Sequence, residues 1–274
     1  MSEPRRIVRV ADLMGMAISV HVLVDEATPL LTDVVDRAIT ASFADLAELD
    51  RVFSPFRSDS QLCRIQRGEL AIADADARIA EVRSACEEAE RATGGTFSAF
   101  WSGTFDPTGY VKGWGVEHAV RTRLAPLLAE DGVIAVGMNA GGDMQLLTAR
   151  DRDWSWRVGI ADPARRGELV ATVELRDGAI ATSGTAERGA HIVDPRTGTA
   201  AVAVASLTMV TDALTTADVW ATAGVVACAD AAQAGAWLSR APVRSAVLVM
   251  DAQDGTRVRR WHHGVELAAA TSAP

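Results

Sequence analysis

The sequence has little cysteine, no long apolar run and no excess of positive charge, and each shortage removes a class of function. Cys63, Cys86 and Cys228 are odd in number, widely spaced, and form neither a CxxC nor a Cys/His cluster. A disulfide framework and a thiolate metal site are therefore excluded, and the three read as reduced, partly buried thiols. No stretch approaches the roughly 18 consecutive apolar residues that a membrane-spanning helix needs. The first residues carry Arg5 and Arg6, but the apolar run after them is broken by Asp12 and His21 and lacks a small-residue cleavage site. The expectation is a cytoplasmic chain with no signal peptide. The formal net charge of −9 argues against broad binding to nucleic acid or to an anionic membrane, since both require a basic surface that releases counterions. The phosphate-binding patterns GxxxxGK[ST] and GxGxxG are missing, and no GxSxG elbow surrounds Ser183.

What is present is the balance of an ordinary globular protein, 49% apolar and 23% charged over 274 residues. That length is near the limit of one hydrophobic core, so one large or two interlocked domains are expected. Ala17 to Val24 alternates and reads as a strand, and Pro29 opens a helical pattern to about Arg51. A polar loop holding Ser54, Pro55, Ser58 and Ser60 follows, then a helix from Asp74, as N-cap, to Ala92, stopped by Gly94 and Gly95. A glycine-crowded loop from Gly103 to Gly115 feeds a third helix reaching Leu128. The second half is strand-rich, with strand patterns at 132–139, 155–160, 169–175, 179–182 and 202–210. Helices are expected from Asp212 or Asp218 to Cys228 and from Asp230 to Leu238, then strands at 244–250 and 256–262. The fold class is α+β, and the Ala-, Ser- and Thr-rich tail at 268–274 reads as disordered.

Four loops carry the unusual residues, and each has a plain reading beside a functional one. In Phe105 to Trp114, free N–H groups at a helix start together with Lys112 suit a phosphate, while Asp106 and Thr108 equally suit capping. Asn139-Ala140-Gly141-Gly142-Asp143 is either a hairpin turn or a place where a planar ligand or a phosphate approaches the backbone, with Asp143 left to accept a hydrogen bond. The stretch from Thr182 to Pro195 gathers Ser183, Arg188, His191 and Asp194, so His191 is either a core histidine bonded to Asp194 or a general base. Asp218 and Thr222, four apart on one helix face, offer oxygen ligands suited to magnesium, or else cap the helix and bond back to a carbonyl.

Taken together and in this order, Met14-Gly15-Met16, FSPFRSDS from Phe53, FDPTGYVKGWGVE from Phe105, NAGGD, ATSG, ERGAHIVDPRTG and DVWATA resemble the ApbE family of FAD:protein FMN transferases, in a compact form without a signal peptide. The match runs from about Val10 to Ala227. The resemblance implies an α+β fold of mixed and antiparallel sheets with flanking helices, a single domain over 1–267 made of two interlocked lobes, and FAD in the cleft between them. It implies Mg²⁺ held by Asp218, Thr222 and the carbonyl of Gly109. It also implies FAD contacts from Met14, Phe56, Thr96, Phe97, Ser98, Asp106, Lys112 and Ile192, with Asp143 and Ser183 as additions. His191 becomes the candidate base, oriented by Asp194. The implied reaction moves FMN from FAD to a threonine or serine hydroxyl of an acceptor flavoprotein and releases AMP. Met16, Phe56, Gln66 and Ser98 depart from the family pattern where threonine, tyrosine, asparagine and aspartate are usual. Those departures leave a magnesium-dependent FAD pyrophosphatase and a non-catalytic FAD-binding protein as alternatives.

Overall fold

A computed structural model describes residues 4–25, 32–185, 189, 191–250 and 257–267. Two antiparallel strands, β1 (Arg5–Leu13) and β2 (Met16–Val24), lead into the helices α1 (Thr32–Phe53), α2 (Gln61–Gln66), α3 (Ala77–Thr93) and α4 (Thr108–Ala119). The chain then runs through β3 (Val133–Ala140), β4 (Asp143–Thr148), β5 (Trp156–Ala161), β6 (Leu169–Leu175), β7 (Gly178–Ser183) and β8 (Val204–Thr211). It ends with α5 (Leu214–Ala227), α6 (Ala231–Leu238), β9 (Ser245–Met250), β10 (Arg257–His262) and β11 (Val265–Leu267). Nine strands form one sheet in the order β1-β2-β3-β4-β7-β8-β9-β10-β11, and β5 and β6 pair apart as a two-stranded sheet. Every pairing between these strands is antiparallel.

The sheet is covered on both faces. Helices α1, α4 and α5 share the main core with Val20, Val22, Met138, Leu207 and Met209. Across the sheet, Trp156 and Val158 of β5 pack on Leu23, Leu146, Ile180 and Val210, and Ile160 packs on Ala205, Val247 and Val249. Inner β8 is buried along its whole length, as a strand covered on both faces must be.

The differences from the sequence reading are local. Asp76, not Asp74, caps α3 by accepting from the Arg78 N–H at 2.9 Å, while Asp74 ends a short 3-10 turn (Ile72–Asp74). The polar loop contains a helix, α2, capped by Ser60, which accepts from the Cys63 N–H at 3.0 Å. Strand β1 is charged and exposed enough to hide its alternation. Beyond Ala119 the third helix continues as a π turn (Val120–Leu124) and a 3-10 turn (Ala125–Ala129). Neither Asp212 nor Asp218 caps α5: its first N–H groups go to other elements, Leu214 N–H to Gln145 Oε1 at 2.9 Å and Thr215 N–H to Glu117 Oε2 at 3.0 Å. Pro29, Glu187, Arg188 and the tail at 268–274 lie outside the described residues.

Gly224 lets α5 sit close to the sheet, because a Cβ there would lie 2.2 Å from Leu207 Cδ2 and 3.1 Å from the Trp237 ring. Gly224→Ala is expected to destabilise the fold by about 1–3 kcal/mol through overpacking, measured as a lower denaturant midpoint at unchanged slope.

Candidate functional site

One cleft of about 1290 Å³ opens where the helical layer, the ends of β4, β7 and β8, and the β5–β6 hairpin meet. It exceeds the roughly 300–1,000 Å³ of pockets for drug-sized ligands and so suits an extended, dinucleotide-sized molecule.

Its floor is an ionic cluster. Lys112 lies on α4, Asp143 opens β4, and Asp218 sits at the start of the second turn of the largely apolar α5. Lys112 Nζ bonds Asp143 Oδ2 and lies 3.2 Å from Asp218 Oδ1. The remaining oxygens are held by backbone: Thr182 N–H donates to Asp143 Oδ1 at 2.9 Å, and Gly113 N–H donates to Asp218 Oδ2 at 3.0 Å. Both carboxylates are only 2% exposed, so their charges are tolerated because they are paired and hydrogen-bonded. Burial pushes the Asp218 carboxyl upward, and the nearby Lys112 ammonium pulls it partly back. Burial by itself would lower Lys112, but Asp218 and Asp143 outweigh it and hold the ammonium above its ordinary 10.5.

The close approach behind this cluster requires glycine. A Cβ on Gly113 would stand 2.9 Å from Asp218 Cβ and 2.9 Å from the Leu214 carbonyl. An α-helix gives the Gly113 N–H to the carbonyl four residues back, so the Gly109 carbonyl shares its helical donor with Asp218. One turn beyond Asp218, the half-buried Thr222 meets Ser183 across the cleft, Oγ1 to Oγ at 3.1 Å.

The other sequence candidates line the same cleft, with one exception. Met14 occupies the β1–β2 turn with a left-handed φ of 53°, and Met16 beside it packs on Gly141 of the β3–β4 turn. Phe56 stands at the mouth, 91% exposed, on a loop tied down by Ser60 Oγ–H donating to the Ser54 carbonyl at 2.7 Å. Thr96, Phe97 and Ser98 follow the glycine stop of α3, with Ser98 anchored to Glu90 at 2.9 Å. Asp106 accepts from the Thr108 N–H and hydroxyl at 3.1 and 2.8 Å, fixing the start of α4, whose first turn brings Gly109 to the cleft. Buried Ile192 and exposed His191 complete the wall. Gln66 stays outside the cleft and braces it, donating from Nε2 to the Phe105 carbonyl at 2.8 Å.

Asp194 is the exception and a correction. It was expected to orient His191, but its carboxylate is taken by Arg196 through the backbone N–H, Nε and Nη2 at 2.9, 2.9 and 2.8 Å. Arg196 also holds that carboxyl below its usual range. Two residues lie between His191 and Asp194, and the chain turns at Asp194, where Gly198 N–H returns to its carbonyl at 2.8 Å. The histidine is set by backbone instead. His191 Nδ1 lies 3.0 Å from the Gly189 carbonyl, which can only accept, so Nδ1 is the donor in this contact and Nε2 is not engaged by it.

The sequence reading missed the β5–β6 hairpin as a wall of the cleft, and it missed Ser206. This serine lies on β8, is 6% exposed, lines the cleft, and its Oγ has no hydrogen-bond partner among the described residues. Inside an apolar strand pattern nothing marks it. Among the described residues no group of three or more His, Cys, Asp and Glu side chains is placed to hold a metal, so any cation here must rely on hydroxyl and carbonyl oxygens as well.

The fold, an antiparallel sheet under helices, is shared with a known class. The ApbE family model matches residues 14–103 and 101–248, and the chain belongs to the ApbE family. The ApbE protein of Thermotoga maritima superposes with a TM-score of 0.75 at 20% identity, over 93% of this chain and 97% of that one. Flavin transferase ApbE from Vibrio cholerae gives 0.73 at 18% identity, over 96% and 99%. The apo form of the Pseudomonas stutzeri flavinyl transferase ApbE gives 0.72 at 19%, over 94% and 95%. At these identities the likeness is one of fold. No curated protein sequence matches the chain.

Lys112→Met is expected to cost about 3–5 kcal/mol, because it leaves two buried carboxylates without their cation. The Tm should fall by roughly 5–15 °C. The lysine's folded pKa is raised, so its contribution is complete below about pH 10.5 and is lost as pH climbs through the folded value. A melting series from pH 7 upward should therefore show wild type and variant converging only at the alkaline end. Ser206→Ala, which removes an unpaired buried hydroxyl, is expected to leave the Tm of the free protein unchanged or higher.

Proposed function

We propose that this chain is a flavin transferase that moves FMN from FAD to a threonine or serine hydroxyl on an acceptor protein, uses Mg²⁺, and releases AMP. The observation that carries the reading is the Lys112–Asp143–Asp218 cluster with Thr222, buried at the floor of a dinucleotide-sized cleft in an ApbE-family fold.

The donors fit a hard divalent cation. Asp218, Thr222 and the Gly109 carbonyl supply oxygen only, which suits magnesium and not zinc. Two carboxylates against one ammonium leave the floor with one net negative charge, so a cation is favoured there before any phosphate arrives. A divalent ion held by these groups would draw charge from the pyrophosphate oxygens in the transition state.

The chain's own residues have separate tasks. Lys112 is kept charged and aimed by its two aspartates, so it offers a fixed positive group to a phosphate. The turn at Gly141 and Gly142, with φ of 59° and 99°, brings backbone close to the ligand without side chains in the way. Met14, Phe56 and Phe97 offer apolar surface for a planar ring system. His191 accepts the acceptor hydroxyl's proton on Nε2 as oxygen bonds the phosphorus on the FMN side. The anhydride bond to the AMP oxygen breaks, and AMP leaves with that electron pair.

The test uses the purified chain with FAD, Mg²⁺ and a bead-bound library of nonapeptides centred on threonine or serine, read by bead fluorescence and by AMP. Labelled peptides with stoichiometric AMP are expected, and both should vanish in Asp218→Ala. His191→Ala should lower kcat by about 10²–10⁴-fold with FAD affinity kept. AMP without label would replace the reading by FAD hydrolysis, and FAD binding with neither product would reduce it to a binding protein. Among the described residues no helix is long and apolar enough to cross a membrane.

A further inference from the structure

The β5–β6 hairpin turns a strand edge, and not a strand face, toward the cleft. Four consecutive residues, Val158, Gly159, Ile160 and Ala161, all line it, whereas no residue of β6 does. Successive strand residues point to opposite faces, so a strand lying face-on would contribute every second residue. Contact by four in a row means that the backbone edge itself is presented. The opposite edge of β5 is spent on β6, and no other strand pairs with β5 among the described residues.

Along Val158 to Ala161 this edge lacks the usual protections, which stand only at its ends, Arg157 before and Asp162 and Pro163 after. Proteins blunt a free edge with lysine, proline or a bulge on the edge strand. Val158 to Ala161 carries no charge and no proline, and the register shift at Ile160/Ala161 takes its extra residue, Val170, from β6. On the outward face β5 itself contributes only Gly159 and Ala161 here, and Leu169 of β6 lies over Gly159, where a Cβ would stand 2.8 Å from Leu169 Cδ1, so no bulky or charged side chain of β5 stands beside the in-plane edge. A second observation lies beside it: Ile160 packs on Ala205, and the next residue, Ser206, lines the cleft and has a buried hydroxyl without a partner among the described residues. A polar main chain laid along β5 would enclose this position.

We propose that the free edge of β5 docks the acceptor, whose threonine- or serine-bearing segment pairs with it in extended form as a third strand of the hairpin sheet. The proposal rests on the flavin-transfer reading and deepens it by naming how the acceptor is held. Main-chain hydrogen bonds supply binding that is tolerant of sequence, as in other strand-addition complexes. The alternation of the added strand sends the hydroxyl side chain into the cleft and its two neighbours away from it.

The best-labelled nonapeptide from the library is resynthesised with a single N-methyl group at each peptide bond in turn, and KM and kcat are measured with the wild-type chain. N-methylation removes one donor and blocks one edge, so KM is expected to rise by roughly tenfold at every second position, equivalent to about 1.4 kcal/mol. The positions between should stay near the unmodified value. Because only the peptide is altered, misfolding of the protein cannot mimic the result. A response without the two-residue period, or no response, would overturn the docking edge while leaving flavin transfer intact. A chain that binds FAD and releases AMP yet labels no linear peptide would also overturn it. Failure of the flavin reading shows differently, as loss of FAD binding and of AMP release in the same wells.

Discussion

Lys112 sits between two carboxylates that have almost no access to water, and three elements distant in sequence meet on that contact. Helix α4 brings the ammonium, β4 brings Asp143 and α5 brings Asp218. Were Lys112 removed, two buried carboxylates would be left without their cation, which costs several kcal/mol. The cluster is therefore a structural tie as well as a chemical group. It explains why α5, apolar enough to be buried nearly all round, tolerates a buried aspartate in its second turn.

The surrounding backbone is arranged to keep that tie. Gly113 allows α4 and α5 to approach until the Asp218 carboxylate takes a helical N–H, and Thr182 closes the Asp143 side from β7. Gln145 and Glu117 then take over the orphan N–H groups at the start of α5, so the helix carrying Asp218 and Thr222 is registered by β4 and α4 and not by a cap of its own. The site's polar residues are thus held by several elements at once, as preorganised electrostatics requires. The walls are less committed: Phe56 stands in solvent, and among the described residues Ser206 has no partner and β5 pairs on one edge only. Charge is fixed at the floor, and the surfaces that would receive a large substrate are left open.

Much of this was legible in the chain. Periodicity located the main strands and helices of the second half, and the glycine- and carboxylate-bearing loops, taken in order, pointed to the ApbE family and to a set of residues that the fold gathers in one cleft. Local pattern suffices there because side-chain alternation and helix stop signals are properties of short segments. It failed at α2, where a six-residue helix in a polar loop has too few turns to show a period, and at β1, whose arginines mask its alternation. It also failed where one residue had two available partners. Asp194 lies close in sequence to both His191 and Arg196, and only the folded turn shows that Arg196 takes it.

The sequence by itself determined the composition of the site: oxygen donors without thiolates, one lysine among aspartates, and glycines at the turns. The tertiary structure alone decided which carboxylates share the lysine, which atom the histidine's Nδ1 donates to, and that a hairpin edge borders the reaction cleft. Residue type and spacing are written along the chain. Pairing of charges and exposure of an edge depend on contacts between segments scores of residues apart, which come into being only when the chain is packed.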